Sequence, residues 1–579
     1  MRVEQTEYVV IGIYLILLIA MGAVFKRFNK NTEDYFKSGS QATWWLVGMS
    51  SLMSGVSALT FTGNAGKAYE AGFSVLVIYF ASTIGFLFQG LFLGAWFRHL
   101  RATTYPEVVD LRHGRLTHMI YAYTSVVYFY LGAALWLWGL AIFSSSLFGF
   151  SIYWTIVGLG LVVLLYSTTG GSWAVMATDF VQSLILLPMT LLLTYLSLKE
   201  IGGISAFFTK LNEAGLSEPY AIINEPGAFP NDANSWSWAL ATVVVFSLGH
   251  LSLGSANKYF SVKDGKSAQW AAYFSCITIT AGALFWFIPP MVGRLLFSEE
   301  IANAPLSNPA EASYAITALH LLPSGMIGLM VVAMFSATMS SMDTGLNRNA
   351  AIIARDITPH LMSLLGKRPL KEQQSLLLSK IATVLSGFIV IGVAIAFASS
   401  AGPGGMFKVL LDVMTAIGVP KALPMVLGLF VKRVPRWAAI FTMGVGIIPS
   451  LVFAVGGFEL TFQTRAFVIL GVSTGAFFFT GLFWRRETQA YREQVDSFFK
   501  RMKTPVDFKK EVQRDTDHLQ MRIIGGFTLV IAIFVLILSY IQTDKLGLIC
   551  VLLLGGVLLV FAIFMLLCSR KKGEVGRGI

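Results

Sequence analysis

Charge is what this 579-residue chain has least of. Asp, Glu, Lys and Arg together make up only 13% of it, about half the share usual in a soluble domain. That scarcity excludes a soluble enzyme of ordinary composition. Cysteine is scarcer still. Cys276, Cys550 and Cys568 each fall in or at the edge of an apolar run, so no disulfide framework is implied. Zinc-site spacing, a phosphate-binding P-loop and a nucleophile elbow are all absent. Outside the apolar runs no stretch is long enough for a catalytic domain, so the chain reads as a protein that is not an enzyme. A basic leader is lacking too. Glu4 and Glu7 precede the first apolar run, "YVVIGIYLILLIAMGAVF", which is too long for a signal core and reads as a retained helix.

What is present is hydrophobic: 55% of residues, with a mean hydropathy of +0.69. Apolar runs of about 20 residues recur from end to end, the length that crosses a bilayer core as helix. The pattern predicts an all-α polytopic membrane protein of about fifteen spans, the first near residues 7–25 and the last near 547–568. Most of the 43 Lys and Arg residues fall in alternate loops, among them "KRFNKNTEDYFK", "KYFSVKDGK" and "RKKGEVGRG". By the positive-inside rule those loops are cytoplasmic, which places the N-terminus outside and the C-terminus in the cytoplasm. The net charge of +12 is therefore a topology signal rather than a nucleic-acid footprint. The expected setting is the plasma membrane (cell inner membrane), with the lipid bilayer and a small-molecule solute as partners. A monomer is expected to suffice for that function, and the sequence does not give the oligomeric state.

One apolar run carries groups that hydrocarbon disfavours. Ser336–Ala351 reads "SATMSSMDTGLNRNAA" and continues the span 323–346. An ionisable residue inside a span is by default a functional candidate. With Ser340 at zero on a helical wheel, Ser336, Ala337, Ser341, Asp343, Thr344 and Asn347 fall between about −60° and +100°. Met334, Phe335, Met339, Met342 and Leu346 fill the remaining arc, facing lipid or protein. Ser336 alone is explained by helix-to-helix hydrogen bonding. Adjacent hydroxyls with a carboxylate one turn away instead make an all-oxygen donor set that suits a hard cation. A second intramembrane carboxylate, Asp179 in "TTGGSWAVMATDFVQ", is expected at similar depth near the cytoplasmic side.

Two further spans are interrupted by small polar residues. The second has Ser54-Gly55 at its middle, followed by Ser57, Thr60 and Thr62; the seventh has Gly249, Ser252, Gly254 and Ser255. These two spans open consecutive sets of five. Breaks at matching places in two halves point to a transporter site, because unwound turns expose carbonyls and helix-end dipoles. The chain divides accordingly: 1–42, an extra helix and loop; 43–198, a first inverted repeat; 199–235, an extracellular loop; 236–431, a second repeat. Residues 432–484 add two helices, 485–522 a charged cytoplasmic segment, and 523–579 two helices and a basic tail.

At this point the motifs resemble those of the sodium:solute symporters. "TEDYFKSGSQATWW", "TYPEVVDLRHG", "YSTTGGSWAVMATDFVQ" and "LGLFVKRV" stand in the family's order and spacing, with "NKYFSVKDGKSA" a looser match. The resemblance runs roughly from residue 7 to 485. It implies a five-plus-five inverted-repeat core of the amino-acid-transporter-like fold, with flanking helices, and a sodium-coupled secondary active symporter working by alternating access. Its first Na⁺ site maps to Met53, Val56, Ala337, Ser340 and Ser341. A second cation site maps to Asp179, Ser340, Asp343 and Thr344, so one or two Na⁺ ions are the expected coupling ions. For the solute, positions that hold a sugar in galactose symporters fall on Leu59, Thr60, Ser252, Ile279 and Asp412, and the sugar-binding side chains are absent. The solute-site candidates are Ser54, Gly55, Ser57, Thr60, His250, Ser252 and Asp412. The expected solute is small and polar, a sugar or sugar derivative, with an amino acid or organic acid as the alternative. Proton coupling through Asp179 or Asp343, and a sensor that binds without transport, are the rival functions. Lys421, deep in its span between Pro420 and Pro424, is expected to meet a carboxylate or an anionic solute.

Overall fold

A computed structural model describes residues 5–25, 37–167, 171–368, 370–400, 402, 405–457, 460–511, 517–542 and 545–575. Most of the predicted loop "KRFNKNTEDYFK" lies outside the described residues. Helices account for nearly everything else, and no β-strand forms among the described residues. Bilayer-crossing backbone must satisfy its own hydrogen bonds, and helix is the local solution to that demand.

Each predicted apolar segment is helical. By length and composition, ten helices can cross a membrane among the described residues, or eleven if the bent pair spanning Pro230–Leu251 and Leu253–Phe260 is one span. Three more apolar helices, Gln5–Leu17, Ile152–Leu165 and Ala438–Phe453, are shorter. The Trp44–Gly55 helix, also short, is the first half of a broken span. The predicted outer loop 199–235 contains a helix at Ile204–Glu213, and the charged segment 485–522 contains one at Gln489–Lys503.

The Met326–Ile352 helix is the centre of the molecule. It packs against Trp44–Gly55, Gly171–Ile201, Arg115–Phe148, Glu372–Ser400 and the first helix, Gln5–Phe25. The apolar window within its span is 94% buried, so the arc carrying Met334, Phe335, Met339 and Met342 meets protein and not lipid. Its start is fixed from outside the element. Gly325 takes the left-handed conformation (φ 79°), and the buried Glu7 carboxylate accepts hydrogen bonds from the Gly325 and Gly328 N–H groups. A carboxylate at a helix N-terminus satisfies donors that have no partner within the helix and opposes the dipole. Further on, the helix does not stop where hydropathy fades at residue 346. It runs on through a π-helical turn, Ile353–Ile357, into Thr358–Leu364, so Arg348 sits on a helix wall and not in a free loop.

Both predicted breaks are present. The Trp44–Gly55 helix ends, Val56 and Ser57 are extended, and helix resumes through Ala58–Phe61 into Gly63–Ala71. Likewise Trp236–Leu251 ends at an extended Ser252 before Leu253–Ser255 and Ala256–Phe260.

Candidate functional site

The first break leaves carbonyl oxygens at a helix end without a full succeeding turn, only Val56 N–H reaching back to Met53 O at 3.4 Å. They converge on one hydroxyl. Ser341 Oγ lies 3.4 Å from Met53 O, 3.3 Å from Ser54 O, 3.3 Å from Val56 O and 3.4 Å from Ala337 O. One hydroxyl proton serves a single acceptor at a time, so the oxygens outnumber the proton available between them. Oxygens bound to one hard cation at about 2.4 Å lie about 3.4 Å apart in an octahedral arrangement, so this spacing fits such an ion. Neighbouring Ser340 Oγ is buried beside Asp179, with no hydrogen bond that meets ordinary geometry among the described residues. Thr338, which the sequence reading passed over, accepts a hydrogen bond from Ala58 N–H at 2.9 Å and ties the far side of the break to the same helix. Ser336 is used differently: it bonds Tyr14 on the first helix at 2.8 Å, as a helix-to-helix contact.

Asp179, Asp343 and Thr344 lie one layer away. Asp179 and Asp343 are both buried. Ser50 donates to Asp179 Oδ2, and Ser167 donates to Asp343 Oδ1. Ser54 Oγ lies 2.9 Å from Ser50 O and 3.3 Å from Thr344 Oγ1, joining this layer to the first. Among these groups stands a cation of the chain's own. Lys258 Nζ is 2.9 Å from Thr344 Oγ1 and 3.5 Å from Asp179 Oδ2, and it also donates to Ser50 Oγ. Sequence reasoning counted Lys258 among loop charges, because hydropathy does not mark the short helix that follows a break. Among the described residues no group of three or more His, Cys, Asp or Glu is arranged for a metal ion. The oxygen set is of carbonyl and hydroxyl type, suited to an alkali cation and not to a transition metal.

A cavity of about 270 Å³ opens beside both breaks. Ser54, Gly55, His250 and Ser252 line it, together with Gln89, which sequence reasoning also missed. His250 Nε2 pairs with Ser82 Oγ at 3.0 Å, and Ser252 Oγ donates to Gly249 O at 2.7 Å. The other three solute candidates lie elsewhere. Ser57 and Thr60 are buried and cap the short Ala58–Phe61 turn reciprocally. The Asp412 carboxylate is held by Arg465 at 2.6 Å and not by Lys408. Lys421 does line the cavity. Its Nζ is 3.4 Å from Tyr105 OH and lies over the Tyr105 and Tyr128 rings at 5.6 and 5.0 Å, a cation–π setting in place of the expected carboxylate. Arg348 lines it too, donating to Gly254 O at 3.0 Å just past the second break.

The profile of the sodium:solute symporter family matches residues 35–446. Among curated proteins, the chain is 27% identical over 491 residues to the sodium/myo-inositol cotransporter 2 of Bos taurus, covering 78% of this chain and 70% of the relative. It is 26% identical over 478 residues to the sodium/glucose cotransporter of Vibrio parahaemolyticus, covering 78% and 84%. Among solved structures, a Na⁺-coupled sialic acid symporter in its substrate-bound, outward-open state superposes with a TM-score of 0.70 at 19% identity, covering 84% of this chain and 98% of that one. The architecture is thus the inverted-repeat transporter fold that the paired breaks led us to expect.

Proposed function

Because the chain belongs to the sodium:solute symporter family, we propose that the solute it moves together with Na⁺ is a small polyhydroxylated molecule, a monosaccharide or cyclic polyol. The observation that carries the ion half of this reading is the convergence of Met53, Ser54, Val56 and Ala337 carbonyls on Ser341 Oγ. An ion at those oxygens, with Ser340 beside them, joins the broken Trp44–Gly55 span of one repeat to the Met326–Ile352 helix of the other. The same break presents Ser54 and Gly55 to the cavity, so ordering it with Na⁺ orders part of the solute wall. Coupling needs no more than that: Na⁺ raises the population of the state that binds solute, and solute raises Na⁺ affinity by the same factor.

The solute half rests on size and lining. At about 270 Å³ the cavity lies just below the ~300–1,000 Å³ usual for drug-sized ligands, so a monosaccharide-sized molecule fits its scale. The Ser54 and Ser252 hydroxyl oxygens and the second ring nitrogen of His250 remain for solute hydroxyls, while Gln89 is tied to His250 O and Tyr259 OH and shapes the wall. The similarity to glucose and myo-inositol cotransporters supports the same class. The basic loops favour a plasma-membrane topology with the N-terminus outside and the C-terminus in the cytoplasm; the cavity lining includes Tyr105 and Arg348, which that reading puts toward the cytoplasmic side. Proteoliposome uptake of labelled myo-inositol and glucose, driven by an inward Na⁺ gradient and repeated with K⁺, is the test. Uptake equal in Na⁺ and K⁺, or none for any sugar or polyol, would sink it.

A second reading has its own observation. Arg348 and Lys421 line the cavity with no carboxylate bonded to either among the described residues. They favour a solute that carries an acid group, such as a sugar acid. Competition by a uronate exceeding that of its parent hexose, and losing that advantage in Arg348→Gln, would select this reading over a neutral sugar.

A further inference from the structure

We propose that the ammonium group of Lys258 is a built-in cation standing where a second coupling ion would bind, so that each transport cycle carries one sodium ion. The inference rests on the first sodium site described above and concerns the layer next to it.

Lys258 lies on Ala256–Phe260, directly after the second break. A lysine near a span end ordinarily turns its amine outward to water. This one turns inward, and its side chain keeps only 11% of its exposure. An ammonium carries three donors and no acceptor. Each donor has an oxygen: Thr344 Oγ1 at 2.9 Å, Asp179 Oδ2 at 3.5 Å, and Ser50 Oγ. Two of those three, Asp179 and Thr344, belong to the set that the sequence reading assigned to a second Na⁺. Ser50 is the hydroxyl that donates to Asp179 in turn. The donor set fits a monovalent cation, and the chain itself supplies one.

A sodium ion sharing those oxygens would stand about 4 Å from the ammonium. At an effective dielectric of about 20, like charges that close weaken binding by roughly a thousandfold. Both cations therefore cannot share the Asp179 carboxylate at ordinary sodium concentrations. Asp343 accepts from Ser167 at Oδ1 and, among the described residues, makes no ion pair with Lys258, whose partner is Asp179. The arrangement also carries a structural consequence. The ammonium ties the helix after the second break to Asp179 on Gly171–Ile201 and to Ser50 on Trp44–Gly55, a link an exchangeable ion would make only when bound.

The deciding experiment is equilibrium binding of radioactive sodium to the purified full-length protein without solute. Wild type should bind one ion per chain with a Hill coefficient of one. Lys258→Ala should bind two, and Lys258→Ala combined with Asp179→Asn should return to one. In proteoliposomes the charge moved per neutral solute should rise from one to two in Lys258→Ala. Lys258→Gln, closer in size, replaces the alanine variant if that protein does not fold. Two ions bound by wild type overturns the proposal, and so does a Lys258 variant that keeps its first ion and gains no second. A sodium affinity unchanged by Ser341→Ala, or no sodium bound at all, instead overturns the first site on which the proposal rests.

Discussion

Replacing Ser341 by alanine removes one hydroxyl and disturbs little else. The side chain is buried on a continuous helix, so alanine keeps the backbone and its helical propensity. What is lost is the one side-chain oxygen that lies 3.3–3.4 Å from the Met53, Ser54, Val56 and Ala337 carbonyls. A neutral group bonded to a charge contributes about 1.5–3 kcal/mol, so Na⁺ affinity should fall by about ten to a hundredfold. The assay is the rise in thermal unfolding midpoint on titrating NaCl at constant ionic strength with choline. A hundredfold excess over the dissociation constant adds about 2.7 kcal/mol, so the shift of the titration curve is easily read. At saturating Na⁺ the solute affinity of the variant should return close to wild type, because only the ion's contact is removed. An unchanged sodium titration would refute the site. A loss of solute binding that no sodium concentration restores would show that Ser341 holds the break itself and not the ion.

Three other outcomes are expected. Asp179→Asn strips Lys258 of its counter-charge and should destabilise the protein by about 3–5 kcal/mol in detergent unfolding, with Lys258→Met in the same chain recovering part of that loss. Glu7→Ala removes the acceptor for the Gly325 and Gly328 N–H groups and should cost about 1.5–3 kcal/mol, while leaving the sodium titration in place; a shifted titration would show that Glu7 acts on the site. Glu311, in the short turn Pro309–Ala312, accepts from Met406 N–H at 2.8 Å at the start of Gly405–Val413, and burial pushes its carboxyl up to about 7, with the Glu70 carboxylate adding in the same direction. The folded form therefore holds this proton more tightly than the unfolded chain. The resulting stability of about 3 kcal/mol is fully present below about pH 4.5 and is lost as the pH rises through 7. Unfolding midpoints measured from pH 4.5 to 8 should lose this dependence in Glu311→Gln, and an unchanged profile would remove Glu311 from the account.

How much of this was legible beforehand depends on whether the cause was local. The breaks at Ser54-Gly55 and around Ser252 were visible because small polar residues interrupt apolar runs, and chain conformation there is decided over a few residues. The polar stripe of Ser340, Ser341, Asp343 and Thr344 was legible from helical periodicity alone, and the structure directs Ser341 and Thr344 at the first break while Asp343 meets Ser167. Depth and partner choice were not legible. Lys258 sits in a run that reads as loop, and only the fold of the second break swings it toward Asp179. Asp412 is four residues from Lys408, a spacing that suggests a local pair, yet Arg465 on a distant helix takes the carboxylate. Ser57 and Thr60 carry the right chemistry for a solute wall and use it on a turn of their own backbone. Lys421 finds Tyr105 and Tyr128, and neither residue's approach is written in the residues around Lys421.

The claim at the centre is that sodium at the first break organises the wall that holds the solute. Binding of a transported sugar or polyol to the purified protein, measured by calorimetry in NaCl and again in choline chloride, tests it most directly. The account predicts binding that strengthens at least tenfold with sodium, and a sodium affinity that strengthens by the same factor with solute. Equal solute affinity in the two salts would contradict it, whatever the solute turns out to be.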